Sequence, residues 1–341
     1  MKNISRLLFV PLIICCGYLR VNAQGNDLIK EGVALHNQGK YAEAINKFDE
    51  VLKTDPENGY ANYEIAFSLY AFKKPQEAIP HLEKAVKSDN KSLRVTAFSL
   101  LASIYDEANQ SQKAIETYNQ AIKIDPEYPQ IYYNLGIAYF RNKQYTEAEN
   151  SAIEAIKHNP KNASSQRLYA LVNFHQNKRA NALLAFCSFL MLEPTGPRAA
   201  ETYGNIQNIM KGGVLTDAKG NSTIAFSAQQ DKEVNTLNLG ISLIVKSGQT
   251  KKLTGSALLE YELKSIFSLV GELSEKKTDK TFFDNFFAAY FYKLAQSNNM
   301  PAFVHTIALA SDKTEGTAWA SQNQQQVSAL SEWVKNTERT F

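Results

Sequence analysis

The feature that most constrains this chain is an alanine that recurs at nearly constant spacing through its first half. The alanine returns after 34, 36, 34 and 34 residues, at Ala44, Ala78, Ala114, Ala148 and Ala182. Twelve residues before each alanine stands a small residue: Gly32, Ala66, Ala102, Gly136 and Ala170. Twelve residues after each stands a proline or an asparagine: Pro56, Asn90, Pro126, Pro160 and Pro194. Five copies in one register predict a stack of small repeats rather than a single globular core.

Each copy has the period of two consecutive helices. Ala44, Phe48 and Val51 lie three or four residues apart, which places them on one helical face. Turn residues that tolerate positive φ stand five residues before the alanine, at Gly39, Asn109 and Asn177. Small residues let two helices cross closely, while a proline after the second helix ends it. The two extra residues of the 36-residue interval are expected in the turn between hairpins, between Asn90 and Ala102.

The period, the small-residue columns, the terminal prolines, and Tyr41 and Tyr145 in the turns make this region similar to the tetratricopeptide repeat family. The resemblance implies an all-α fold, a right-handed solenoid of helical hairpins followed by a helical C-terminal region. Its five repeats are expected at residues 25–58, 59–92, 95–128, 129–162 and 163–196. The fifth copy departs from the pattern, because Asn173 stands where a large residue is usual and Arg179 where the turn aromatic is usual.

The resemblance also implies a protein-binding groove lined by the first helix of each hairpin. The groove residues expected on this basis are Tyr60, Tyr63, Phe67, Tyr70, Tyr133, Ile137, Phe140, Arg167 and Phe174. Aromatic side chains supply large contact areas at low entropic cost. The alternative for any one of them is packing between hairpins. Family members that clamp a carboxylate use cations, but this chain has Ile29, Val33, Ser99 and Ser103 at those places, which argues against a chaperone-tail receptor.

The first 23 residues have the pattern of a bacterial signal peptide. Lys2 and Arg6 precede an apolar run over 7–16, and a small residue, Ala23, suits cleavage. We therefore expect an exported protein, periplasmic or secreted, with no transmembrane segment in the mature chain; lipid attachment at Cys16 is the second choice. The leader carries three basic residues and no acid, so its removal takes the formal charge of +3 to zero. That balance gives no indication of nucleic-acid binding.

The C-terminal region, residues 197–341, continues with helical patterns. A partial sixth repeat is expected to begin after Pro197, and 212–230 to form a loop or a short hairpin. A stripe of phenylalanines and tyrosines over 282–294 has helical spacing. It is expected to cover the last hairpin of the solenoid, with a membrane or partner surface as the alternative. Cys187, among Phe186 and Phe189, is expected to be a buried hydrophobic residue.

The sequence contains no pattern that indicates catalysis, a metal site or a cofactor. Its five histidines are scattered, and neither a glycine-rich phosphate loop nor a nucleophile elbow is present. The leading hypothesis is therefore a non-enzymatic adaptor that binds a protein or peptide of the cell envelope. Two alternatives stay open: a catalytic C-terminal domain with the repeats as its targeting arm, and a permanent subunit of an envelope complex. The catalytic alternative would draw on Asp231, Glu260, Glu262, Asp284 and His305.

Overall fold

The structure, a computed structural model, describes residues 25–212, 214–216, 222–224 and 230–341. The predicted signal peptide, residues 1–23, and Cys16 lie outside the described residues. The chain forms two compact units that divide at residues 138 and 139. The predicted end of the repeats at residue 196 is thus not where the compact units separate, because the last hairpins belong to the same unit as the C-terminal helices.

The first unit consists of helical hairpins that follow the alanine period. Its helices are α1 (25–37), α2 (Tyr41–Leu52), α3 (Gly59–Ala71), α4 (Pro75–Ala85), α5 (Lys91–Glu107), α6 (Ser111–Ile124) and most of α7 (Pro129–Arg141). The alanines that define the period are fully buried in both units. A Cβ on Gly32 of α1 would lie only 2.4 Å from the Phe48 ring, so this crossing requires glycine.

The turns inside the hairpins have the predicted backbone. Gly39, Asn109 and Asn177 have φ values of 76°, 58° and 54°, which confirms the expected left-handed residues. Lys73 and Lys143 adopt the same conformation in the other two hairpins. Their φ is imposed by the packing of the flanking helices, because lysine has no intrinsic preference for it.

Asparagines start several of the first helices. Asn58, Asn90 and Asn162 each accept a hydrogen bond from the backbone N–H three residues later, at 2.9–3.0 Å. Asn90 therefore stands in the proline column because it caps the next helix directly. The expected turn insertion between Asn90 and Ala102 is wrong: this segment is helical, and α5 has 17 residues against 13 in α3. Helix α5 thus has four more residues than α3, about one helical turn, while it begins two residues sooner after the preceding alanine of the period than α3 does.

The second unit begins with the last residues of α7 and continues with the remaining hairpins and the C-terminal helices. These are α8 (Tyr145–His158), α9 (Ala163–His175), α10 (Arg179–Leu192), α11 (Pro197–Lys211), α12 (Lys232–Thr250), α13 (Gly255–Glu275), α14 (Ala289–Gln296), α15 (Met300–Ala308), α16 (Lys313–Gln322) and α17 (Gln324–Asn336). Between α11 and α12, β1 (Val214–Thr216) pairs antiparallel with β2 (Ser222–Ile224). The short hairpin thus interrupts a helical region where the sequence has its cluster of glycines.

The aromatic stripe over 282–294 forms core. Phe286, Phe287 and Phe291 are fully buried, and a π-helical turn (Asp284–Ala288) precedes α14 within this segment. Arg339, near the C-terminal end, lies 3.9 Å above the Tyr290 ring, where a cation is attracted by the ring face. Cys187 is also fully buried, as predicted, and burial raises the pKa of its thiol. Among the described residues, every helix is too short or too polar to cross a membrane.

Candidate functional site

Four predicted groove residues lie along one side of α3. Tyr60, Tyr63, Phe67 and Tyr70, here called the aromatic row, are spaced three or four residues apart. Tyr60 is 49% exposed and Phe67 38% exposed, while the other two are half-buried. The rings of Tyr63 and Phe67 are nearly parallel, with centroids 6.1 Å apart. The first unit therefore presents a row of four rings along α3, of which two are exposed and two half-buried.

A histidine extends the aromatic row onto α1. The His36 ring stacks on Phe67 with centroids 4.7 Å apart, and its Nδ1 lies 2.9 Å from Ser68 Oγ. Burial lowers the pKa of His36, which favours a neutral imidazole at pH 7. His36 is not among the groove residues predicted from the sequence. Its position near the end of the first helix, five residues before Tyr41, could have indicated a contact with the aromatic row.

Helix α5 contributes a strip of small hydroxyl side chains beside the aromatic row. Thr96, Ser99 and Ser103, here called the hydroxyl row, are half-buried and follow the same helical spacing. Thr96 lies beside Tyr63, and its hydroxyl donates to the backbone oxygen of Leu93 at 3.0 Å. Burial is the main cause that raises the pKa of Tyr63, so its hydroxyl stays protonated. Ser99 and Ser103 stand where carboxylate-binding family members have cations, and here they form a polar strip beside the rings.

Hydrogen bonds hold both ends of the aromatic row in place. The Tyr60 hydroxyl accepts from Asn90 Nδ2 at 2.8 Å, and the Tyr70 hydroxyl donates to Glu107 Oε1 at 2.5 Å. Both partners belong to the neighbouring hairpin. A surface whose side chains are already ordered loses less entropy on binding.

Helix α7 carries the next predicted residues of the first unit, Tyr133 and Ile137. Both side chains are half-buried. Asn134 lies between them and donates to Ser99 Oγ at 3.3 Å, which ties α7 to the hydroxyl row. The aromatic row, the hydroxyl row, Tyr133 and Ile137 thus come from three first helices of one unit.

The predicted residues of the second unit have intramolecular partners. Arg167 pairs with Glu201 of α11 at 2.6 Å and is 17% exposed. Phe140 packs edge-on against His175 with centroids 5.0 Å apart, and Phe174 contacts Phe186 at 6.1 Å. These three side chains therefore contact other side chains of the second unit, whereas Tyr60 and Phe67 of α3 are exposed.

The unusual Arg179 of the fifth copy joins that repeat to the C-terminal helices. Its guanidinium donates to the backbone oxygens of Ile209 and Gly212 at the end of α11, at 2.5 and 2.8 Å. It also donates to Asn238 O and Ser242 Oγ of α12, at 3.0 and 2.7 Å. The side chain is buried, and burial lowers the pKa of Arg179 to about 10. The departure from the repeat pattern is thus explained by a hydrogen-bonded junction.

Four of the five titratable residues of the catalytic alternative lie in three different environments. Asp231 caps α12, and buried Asp284 pairs with Lys277 at 2.8 Å. Glu262 and His305 line one cavity of about 420 Å³. Across the described part of the chain, no group of three His, Cys, Asp or Glu side chains is arranged to hold a metal ion.

Family comparisons agree with the repeat register. Models described as tetratricopeptide repeat match residues 35–104 and 129–162, and one described as TPR repeat matches 102–143. Residues 35–162 belong to the tetratricopeptide repeat family. The tetratricopeptide hairpins and the helical C-terminal region make the fold all-α apart from the short β-hairpin, and this confirms the predicted fold class.

The similar proteins match only part of this chain. Human tetratricopeptide repeat protein 6 is 28% identical over 145 residues, 42% of this chain and 26% of the relative. A crystal structure of MamA is 25% identical, covering 48% of this chain and 94% of that chain, with a TM-score of 0.44. Pseudomonas aeruginosa pilF is 18% identical, covering 53% of this chain and 81% of that chain, with a TM-score of 0.48. The chain thus spans about a quarter of the human relative's length.

Proposed function

We propose that this tetratricopeptide repeat scaffold is an exported adaptor that binds an extended peptide or a helix of another envelope protein. The binding surface would consist of the aromatic row, His36, the hydroxyl row, Tyr133 and Ile137. The proposed partner is a protein and not a nucleic acid, whose binding would require a surface rich in lysine and arginine. Export is proposed from the leader-like residues 1–23.

The observation that carries the proposal is the exposure of rings that the fold leaves uncovered. Tyr60 and Phe67 keep 49% and 38% of their surface in contact with solvent. The second unit shows that this chain can enclose its rings, since Phe286, Phe287 and Phe291 are completely buried there. Exposed and ordered aromatic side chains are typical anchors of protein interfaces.

The chemistry of the neighbouring groups defines the kind of segment that fits. Rings provide apolar contact, while the oxygens of the hydroxyl row can accept hydrogen bonds from a peptide backbone. The hydroxyls of Thr96 and Ser103 already donate within α5, to Leu93 O and Ser99 O. Acidic Glu64 and Glu107 stand on α3 and at the end of α5, and burial raises the pKa of Glu64. A terminal carboxylate would meet these acids without a matching cation in the hydroxyl row, so an internal segment with apolar side chains suits the surface better.

The proposal can be tested with peptides selected by display on the full chain and measured by fluorescence anisotropy. The double change Tyr60→Ser and Phe67→Ser should weaken binding at least about tenfold, because interface anchors commonly contribute about 2 kcal/mol or more. Phe72→Ser is the matched control, since Phe72 is 45% exposed but follows the row at the C-cap of α3. It should change affinity less than about twofold.

Equal affinity of the wild type and the double variant, with unchanged circular dichroism, would exclude the aromatic row as the binding surface. An equal loss in the Phe72→Ser control would show that any exposed ring serves and would also contradict the proposal.

A further inference from the structure

A second surface feature, independent of the proposed peptide-binding surface, is a cavity in the C-terminal part of the second unit. Its volume is about 420 Å³, within the range of small-molecule sites, and α11, α12, α13, α15 and α16 contribute to its lining. Aliphatic side chains form much of the wall: Ile206, Met210, Val245, Leu258 and Leu259. The cavity can therefore accommodate an apolar chain.

A buried carboxylate without a partner lines this cavity. Glu262 of α13 is 7% exposed, and among the described residues its carboxylate has neither a hydrogen bond nor an ion pair. Asp284, also a deeply buried acid among the described residues of this unit, instead forms an ion pair with Lys277 and accepts a hydrogen bond from the Thr281 hydroxyl. A carboxylate removed from water without a counter-ion is unfavourable. Consistent with this, burial raises the pKa of Glu262 to about 7.

The remaining charged and titratable groups of the lining make the cavity acidic. Asp312 and Glu315 are exposed at its edge, and Lys211 is the basic side chain among the lining residues. Tyr203 and His305 also face it, and burial is the main cause that lowers the pKa of His305. Helix α12 contributes Val245 and Gln249 but no charged group. The lining therefore contains three acids and one lysine, together with a histidine that is neutral above its lowered pKa.

We propose that this cavity binds an organic cation, an ammonium group on an apolar chain, with Glu262 as its counter-ion. The ammonium would donate to the Glu262 carboxylate, while the aliphatic wall would hold the chain. Tyr203, Gln207 and Gln249 supply further oxygen acceptors in the lining. The acids at the edge disfavour an anion and attract a cation.

Octylammonium is a suitable probe, with octanol and octanoate as neutral and anionic analogues of the same length. Calorimetry on the full chain at pH 8 should detect octylammonium binding and at least about tenfold weaker binding of both analogues. Nα-acetyl-lysine amide tests the second source of an ammonium group, a lysine side chain of a partner protein. Preference for octylammonium assigns the site to a free amine, and preference for the lysine derivative assigns it to a protein side chain; both support the cation site.

Glu262→Gln preserves the shape of the side chain and removes its charge. The change should weaken octylammonium binding at least about tenfold, whereas Glu315→Gln at the edge should weaken it less than about threefold. Wild-type affinity should rise between pH 6 and pH 8, as Glu262 ionises. If octanol binds as tightly as octylammonium, or if affinity falls over this pH range, Glu262 acts as a neutral donor and the cation site is excluded.

A measurement on the wild type alone guards against misfolding of the variant. The carboxyl carbon of Glu262, followed by NMR, should titrate near pH 7 in the free chain and at lower pH with octylammonium bound. An unchanged titration in the presence of saturating octylammonium would overturn the proposal. The proposed peptide-binding surface lies in the first unit, so failure of either proposal leaves the other intact.

Discussion

Arg179 gives the sharpest test of how the fifth repeat is joined to the C-terminal helices. Its guanidinium makes four hydrogen bonds to α11, α12 and Gly212. Bonds to a charged group contribute about 1.5–3 kcal/mol each, or about 6–12 kcal/mol for the set. Burial disfavours the cation, since the pKa of Arg179 falls from 12.5 to about 10, which corresponds to about 3 kcal/mol.

Arg179→Met removes the four hydrogen bonds together with the cost of burying the cation, and it takes one donor away from three backbone oxygens and one hydroxyl. We expect the free energy of unfolding of the second unit to fall by about 3 kcal/mol or more, because the lost bonds outweigh the recovered desolvation energy. Urea denaturation followed by circular dichroism measures the loss. Hydrogen exchange should locate it in α12, the helix that receives two of the bonds.

Arg198→Met is the matched control. Arg198 also lies in the second unit, but it is 43% exposed and pairs with Glu193, so its removal should cost about 1 kcal/mol or less. Equal losses in the two variants, or a stabilised Arg179→Met chain, would refute the reasoning that the buried guanidinium holds this junction together.

Three further predictions follow from buried contacts. Gly32→Ala should destabilise the first unit by about 1–3 kcal/mol, because its Cβ would lie 2.4 Å from Phe48; Gly204→Ala, with open space around it, should be neutral or stabilising in thermal melts. The wild type should lose up to about 3 kcal/mol of stability between pH 4.5 and pH 8, because the folded pKa of Glu262 is raised to about 7. Glu262→Gln should not show this loss, and parallel pH profiles of the two melting temperatures would contradict the prediction. Lys277→Met should cost about 3–5 kcal/mol in urea denaturation by leaving the buried Asp284 carboxylate unpaired, and a loss below about 1 kcal/mol would count against this ion pair.

The repeat fold was predictable because its constraints are local and periodic. Buried alanines such as Ala44 and left-handed turn residues such as Asn109 leave a direct trace in the sequence. The lengthened α5 was not predictable from column spacing, because two extra residues can be placed equally well in a turn or in a helix. Only the cap at Asn90 decides between them.

The candidate sites show the limit of the same reasoning. The spacing of Tyr60, Tyr63 and Phe67 predicts a row on one helix, but their exposure depends on what neighbouring elements cover. Arg167 has the same first-helix placement yet pairs with Glu201, 34 residues further along the chain. Glu262 and His305 come together in one cavity although 43 residues separate them in the sequence. The separation of Glu262 and His305 does not follow the repeat period, so the spacing of the sequence gives no signal for their common cavity.

The most direct measurement of the central proposal is site-specific photo-crosslinking of the full chain in the cells that produce it. Benzoylphenylalanine in place of Tyr63 probes the aromatic row, and the same group in place of Phe72 is the control. Mass spectrometry should find one partner segment attached at position 63, with little attachment at position 72. Equal crosslinking at both positions, or a partner that co-purifies but never crosslinks from position 63, would contradict binding at the aromatic row.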